Sequence, residues 1–367
     1  MSSIGSIASS SAPARLTVVA SHLSTARRKV VVSRDLGPDA MQLLRDNANL
    51  EVVLWPEDRV CDRSWLLENV PGSTGLIVLF TEKASPSGPG LKVVSTMSVG
   101  YEHVNLPALH KRGLRLGFTP DVLTDAVADV SVMLALMASR NAAYGVTLVH
   151  QGQWPPFAPF TLCGPQISTM QDSPTRTVGF LGFGRIAQAT LARLVAFGIT
   201  HCVYTSNPGS PPKLALESSL LERHPTLREV RRVDLDTVAR ESDVLFVLAP
   251  GGESTKHIVN EGFLRKMKKS SVLVNTARGT LVDSDALAKA LREEWIWGAG
   301  LDVLEGEPCI DVNHPLLTEP RCAIVPHIGS ATFDTRVGMA VLAARNLLGA
   351  LNGTQMPAEL DLASRLR

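Results

Sequence analysis

Cysteine is scarce in this 367-residue chain and forms no useful pattern: five residues, at positions 61, 163, 202, 309 and 322, with no C-x-x-C pair. Neither a disulfide framework nor a metal site is suggested, and a reducing compartment fits best. No excess of charge exists either. Lys plus Arg total 36 against 35 for Asp plus Glu, a balance of +1, which gives no electrostatic reason to expect nucleic acid or an anionic membrane surface as partner. Long apolar runs are missing too: stretches such as residues 130–138 fall well short of the roughly 20 residues a membrane span needs. What remains is the expectation of a soluble, cytoplasmic protein that handles small molecules. Its length and 45% hydrophobic content suffice for about two domains with cores of their own.

Acidic residues are absent from the first 34 positions, eight of the first 26 are Ser, and Arg15, Arg27, Arg28 and Lys29 add positive charge. Such a segment reads either as a disordered terminus or as an organelle transit peptide, which makes the mitochondrion the alternative address. Residues 1–28 are therefore set apart as an extension.

From Lys29 onward, apolar β-branched runs alternate with helical stretches: KVVVS, LEVVLW, GLIVLF and LKVVST, then, from Thr177, VGFLG, HCVYT, DVLFVLAP, SVLVNTA, WGAGLDV and CAIVP. Short buried strands of parallel sheets read as continuous Val, Ile and Leu runs. The alternation thus predicts an α/β chain of two Rossmann-like, doubly wound parallel-sheet domains. A long helical pattern over residues 123–149 lies between the two series, and another over 331–351 follows the second. Packing the last helix back on the first unit makes that domain discontinuous. The expected division is residues 29–122 plus 333–367 against residues 123–332.

Gly182-Phe183-Gly184-Arg185-Ile186-Ala187 places G-x-G-x-x-A directly after an apolar strand and at the start of a helix. Gly182 permits a tight turn, Gly184 leaves room for a pyrophosphate, and Ala187 lets helix and strand pack closely. The helix N-terminus, Arg185 and Ile186 included, then receives the phosphates. The following strand ends in Thr205, Ser206 and Asn207, where an acid would mark NAD. No carboxylate stands there to repel a 2′-phosphate, and Ser206 and Asn207 can donate hydrogen bonds to one. NADPH/NADP is the expected cofactor, with NADH as the alternative, since no Arg sits in this turn and Lys213 is the nearest following cation.

Four more segments fall at the carboxyl ends of predicted strands: Asn275-Thr276-Ala277-Arg278-Gly279, Gly300-Leu301-Asp302, Glu307-Pro308 and Pro326-His327-Ile328-Gly329-Ser330. Ligands of open α/β sheets bind outside those ends, so an Arg, two acids and a His converging there call for a chemical reading. In order and spacing these segments, with the glycine turn, resemble the D-isomer-specific 2-hydroxyacid dehydrogenase family over about residues 29–360. Within it, S-T-M-S-V-G (residues 95–100), T-P-D-V-L-T-D (119–125), N-H-P-L-L (313–317) and the late M-P-A-E-L are similar to the glyoxylate/hydroxypyruvate reductases.

That resemblance implies reduction of glyoxylate and hydroxypyruvate to glycolate and D-glycerate. His327 would be the acid/base, Glu307 its partner and Arg278 the substrate clamp. Val99 and Gly100 would offer N–H groups to a small 2-keto or 2-hydroxy acid, with Asp302 and Ser330 beside it. Pro250, Thr276, Asp302 and Gly329 would line the dinucleotide. The chemistry suits the residue types: histidine gives up a proton near neutral pH, a neighbouring carboxylate orients the ring and stabilises its protonated form, and a guanidinium fork grips a carboxylate. Departures from the family are Tyr101-Glu102-His103 after the S-V-G segment, Phe157 where the reductases carry a Trp, and expanded segments at 164–174 and 207–231. The alternatives are an NAD-linked dehydrogenase of another D-2-hydroxy acid and a dinucleotide-sensing scaffold like the corepressors of this fold. A homodimer is expected from the apolar surface of the helical pattern at 123–149 (Val130, Val132, Met133, Leu134, Leu136, Met137).

Overall fold

The computed structural model describes residues 27–83, 88–169, 175–207 and 209–366. The reading of the N-terminal extension falls, up to residue 26, outside the described residues. Strands β1 (Arg28–Val32), β2 (Leu50–Leu54), β3 (Gly75–Val78), β4 (Val93–Thr96) and β5 (Arg115–Gly117) form a parallel sheet in the order β2-β1-β3-β4-β5. Helices α1 (Pro38–Arg45), α2 (Arg63–Asn69) and α3 (Leu106–Lys111) lie between these strands. All four residues of β3 and of β4 are buried, as expected where both faces of a parallel sheet are covered.

A seven-stranded parallel sheet follows: β6 (Thr177–Leu181), β7 (His201–Thr205), β8 (Glu229–Arg232), β9 (Val244–Val247), β10 (Val272–Asn275), β11 (Gly298–Leu301) and β12 (Cys322–Ile324), in the order β12-β11-β10-β9-β6-β7-β8. Two of the twelve strands, β5 and β8, are not legible as apolar runs. The first has three residues, and the second, EVRR, is a charged edge strand with one buried residue. Charge on an edge keeps it from pairing with another chain, which also removes the hydrophobic signal.

The linking helical stretch is broken rather than continuous. It forms α4 (Thr124–Ser139) and α5 (Ala142–His150), bent by 70°, because Asn141 takes the left-handed conformation at φ 52°, which Asn tolerates better than most residues. Leu123 and Val127 join the core of the first sheet, whereas Leu134, Ala135 and Ala138 join that of the second. Leu134 is fully buried, and Val130, Val132, Met133, Leu136 and Met137 pack against the second core. The apolar surplus of α4 is therefore spent inside the chain. The exposed apolar residues come just after it, at Tyr144, Val146, Val149, Trp154, Phe157 and Phe160.

Four further helices accompany the second sheet: α6 (Arg185–Val195), α7 (Leu214–Arg223), α8 (Leu235–Glu241) and α9 (Glu261–Leu264). They are followed by α10 (Ser284–Arg292) and α11 (Phe333–Leu351). α11 returns to the first sheet. Met339, Ala340, Ala343, Ala344 and Leu347 share a core with Val30, Val32, Ile77 and Val93, and Ser95 Oγ donates to the Ala343 carbonyl over 2.9 Å.

Candidate active site

β6 is paired with β7 on one side and β9 on the other, so the strand order reverses beside its carboxyl end, where open α/β sheets leave a crevice. Gly182 opens that crevice. Its φ is +86°, and a Cβ there would lie 2.8 Å from the Ala249 backbone nitrogen beyond β9, so both conformation and space demand glycine. Gly184 caps α6, and Ala187 is fully buried in the core shared with Phe180. Arg185 reaches Asp121 over 2.7 Å, and Ile186 packs against the core of the first sheet. Ser206 Oγ, after β7, is buried with no hydrogen-bond partner among the described residues, while Asn207 is exposed. Pro250, after β9, is exposed and its carbonyl accepts from Thr255 Oγ1 over 2.9 Å. These residues fit a dinucleotide: an open glycine turn, a helix start and an orphaned hydroxyl near the ribose position.

The next strand ends carry the candidate chemistry. Thr276 follows β10 with its hydroxyl 2.8 Å from Ser131 Oγ of α4, so that side chain is turned towards the helix. Arg278 extends the other way, across to the loop after β4, where Nη2 lies 3.1 Å from Glu102 Oε2. The guanidinium rests on Gly100: a Cβ at that residue would fall 1.5 Å from Nη2. Among the described residues neither the Val99 nor the Gly100 N–H has a protein acceptor. The guanidinium and the Glu102 carboxylate thus meet at the Gly100 backbone, a cationic loop position suited to an anion.

His327, after β12, has φ 54°, a conformation that costs energy for a non-glycine residue and persists only when its surroundings enforce it. Asp302 enforces it. Its carboxylate, at the end of β11, accepts from the Ile328 N–H over 2.6 Å and the Gly329 N–H over 2.8 Å, and its carbonyl accepts from the His327 N–H over 2.9 Å. Burial pushes the Asp302 carboxyl upward from its ordinary range, against the pull of those two amides. The His327 ring is aimed by two further contacts. Nδ1 donates to Glu307 Oε1 over 2.9 Å, leaving Nε2 for a ligand, and Phe80 stacks on the ring at 4.7 Å between centroids. Ser330 ends the same turn, half-buried.

Phe80 and its support are invisible in the sequence pattern. The loop after β3 is tied down by buried Glu82, which accepts from the Leu79 N–H (2.7 Å), Ser33 Oγ (3.0 Å), Thr81 Oγ1 (2.9 Å) and Arg34 Nη2 (3.3 Å). A second support holds the loop of residues 98–100. His103 Nε2 lies 2.9 Å from Thr96 Oγ1, which is 2.7 Å from Ser98 Oγ, and Ser98 Oγ donates to the Gly100 carbonyl over 2.6 Å. Burial drives the His103 imidazole down to about 4, so it serves this chain of bonds in its neutral form. Glu102 and His103 read from the sequence only as a departure from the family; the structure shows what each contacts.

Residues 132–329 match the family described as D-isomer specific 2-hydroxyacid dehydrogenase, NAD binding domain. Along 342 residues the chain is 38% identical to the glyoxylate reductase of Thermofilum pendens, covering 91% of this chain and 94% of that protein. It is 38% identical over 339 residues to the human glyoxylate reductase/hydroxypyruvate reductase, covering 91% and 98%. Among solved structures, an NADPH-dependent glyoxylate/hydroxypyruvate reductase from Sinorhizobium meliloti, in complex with NADP and malonate, superimposes with a TM-score of 0.72 at 28% identity, covering 92% of this chain and 98% of that one. With a glycine turn at the strand-order reversal and a carboxylate-paired histidine at the neighbouring strand ends, the chain belongs to the D-isomer-specific 2-hydroxyacid dehydrogenase family and is an NAD(P)-dependent oxidoreductase.

Proposed function

We propose that this protein reduces glyoxylate and hydroxypyruvate to glycolate and D-glycerate, with NADPH as its preferred cofactor. The observation that carries the reading is the Glu307-oriented His327 at the end of β12, with Arg278 and the free amides of Val99 and Gly100 at the facing loop. Bound reduced nicotinamide supplies the hydride. Arg278 and the two amides hold the substrate carboxylate and draw charge towards the ketone oxygen. His327 Nε2 gives that oxygen its proton, while Glu307, accepting from Nδ1, keeps the ring in the productive orientation. Phe80, stacked on the ring, limits its tilt.

NADPH preference is supported by the absence of an acid at Thr205, Ser206 and Asn207 and by the NADP held in the Sinorhizobium relative. We assign residues 29–122 with 333–367 to a substrate-binding body and residues 123–332 to a cofactor-binding body, the two closing on substrate. Tyr144, Val146, Val149, Trp154 and Phe157, all exposed, are our candidates for the seam of a homodimer. Light scattering of wild type and Phe157→Asp checks it; a wild type that is monomeric at micromolar concentration would remove that assignment. The reaction itself is tested by steady-state kinetics of purified protein with both keto acids and both reduced cofactors. Oxidation of NADPH with glyoxylate and hydroxypyruvate is expected, and no turnover with either would overturn the reading.

A further inference from the structure

Resting on the NADPH reading above, we propose that this chain recognises the 2′-phosphate with a cationic site split over two distant segments: Lys213, just before α7 and held at the glycine turn, and Arg232, at the end of β8 and held against Asn207 and Ser210. The turn after β7 is where a single Arg would ordinarily clamp that phosphate, and residues 205–207 contain no cation. The fold brings two there from elsewhere.

Lys213 Nζ donates to the Phe183 carbonyl over 3.0 Å. Phe183 sits between the two glycines of the phosphate turn and its ring stacks on Tyr204 of β7, so the ammonium is held against that turn, with further N–H donors to spare. Arg232 pairs in register with Tyr204, next to the end of β7. Its Nη1 donates to the Ser210 carbonyl over 2.7 Å and its Nη2 to the Asn207 carbonyl over 3.0 Å. The guanidinium therefore lies against Asn207 and Ser210, and these carbonyl bonds help to set its plane. Ser206 contributes the third feature, a buried Oγ with no partner among the described residues.

The acids nearby are bonded to other groups. Residues 205–213 contain no Asp or Glu, and Glu217 of α7 accepts instead from Tyr204 Oη over 2.7 Å. Glu229 and Glu241 are bonded to Arg231 over 2.7 and 2.5 Å, and Asp234 caps α8 through the Thr237 N–H. A phosphate monoester carries close to two negative charges and several acceptor oxygens, which an ammonium, a guanidinium and a hydroxyl complement. The 2′-hydroxyl of NADH offers neither charge nor enough acceptors to benefit from two cations.

Equilibrium titration of the full-length protein reads this out without turnover. Kd for NADPH and NADH is measured by cofactor fluorescence for wild type, Lys213→Gln, Arg232→Gln and the double variant, and 2′-AMP and 5′-AMP are compared as competitors on wild type. We expect wild type to favour NADPH, 2′-AMP to compete better than 5′-AMP, and each variant to weaken NADPH about tenfold while NADH changes by less than about twofold. Wild type that favours NADH ends the NADPH reading and this site together. Wild type that favours NADPH, with an NADPH-to-NADH ratio unmoved in Lys213→Gln and in the double variant, ends the site alone. Equal weakening of both cofactors also ends it, because Arg232 would then be shaping the loop and nothing more. Should Arg232→Gln fail to fold, Lys213→Gln and the mononucleotide competition decide.

Discussion

His103 links loop architecture to pH in a way that can be measured. The imidazole is held neutral by burial, down to about 4, against an ordinary value of about 6.5. In the unfolded chain it binds its proton first as pH falls, so the folded state loses ground across the window from about 6.5 to about 4 and nothing above it. Integrating that difference gives a loss of about 1 kcal/mol at pH 5.5 and about 2 kcal/mol at pH 4.5 relative to neutral. The perturbation is His103→Gln, whose amide can still meet Thr96 Oγ1 but does not titrate. The assay is urea unfolding of both proteins at steps from pH 7.5 to 4.5, taking the difference between them. We expect wild type to lose about 1 kcal/mol more than the variant at pH 5.5. Parallel curves would show that His103 protonates freely in the fold, and the neutral bond chain through Thr96 and Ser98 to Gly100 would have to be abandoned.

Three further expectations concern the site. Gly100→Ala places a methyl group 1.5 Å from the present position of Arg278 Nη2, so the guanidinium must leave; we expect kcat/KM for the keto acid to fall about 10- to 100-fold with NADPH Kd unchanged, and a kcat/KM near wild type would refute the clamp. Phe80→Ala removes the ring stacked on His327 and should lower kcat/KM about three- to tenfold, whereas an unchanged value means Glu307 alone aims the imidazole. Glu307→Gln keeps an acceptor for Nδ1 but removes the charge. A fall in kcat of about tenfold or more is expected, and activity equal to wild type would strip Glu307 of its role.

Motif-bearing strand ends were readable because parallel sheets advertise them: buried apolar runs stop abruptly at residues such as Gly182, Arg278, Asp302 and His327. The pairing of His327 with Glu307 is implied in the sequence only by the family resemblance, and the fold places both on the loops that follow the adjacent strands β11 and β12. Other features hide from a linear reading. Asn141 breaks a helix through its backbone conformation, which its neighbours' apolar composition conceals. The polar edge strand β8 gives no apolar run, so nothing in the linear pattern places Arg232, one residue past the expanded segment, next to the end of β7. Phe80 over His327 depends on how loops far apart in the chain meet, and the link from His103 through Thr96 and Ser98 to Gly100 depends on the shape of one loop; periodicity encodes neither. Glu102 lay in plain view as a departure from the family, but its ion pair with Arg278 crosses from one sheet to the other.

The account rests on His327 as the proton donor to the substrate ketone. The most direct measurement mixes the enzyme–NADPH complex rapidly with hydroxypyruvate and follows loss of reduced-cofactor absorbance in wild type and His327→Ala. We predict NADPH binding within about twofold of wild type and a transient slowed by about 10²- to 10⁴-fold in the variant; a transient of undiminished rate would contradict the account.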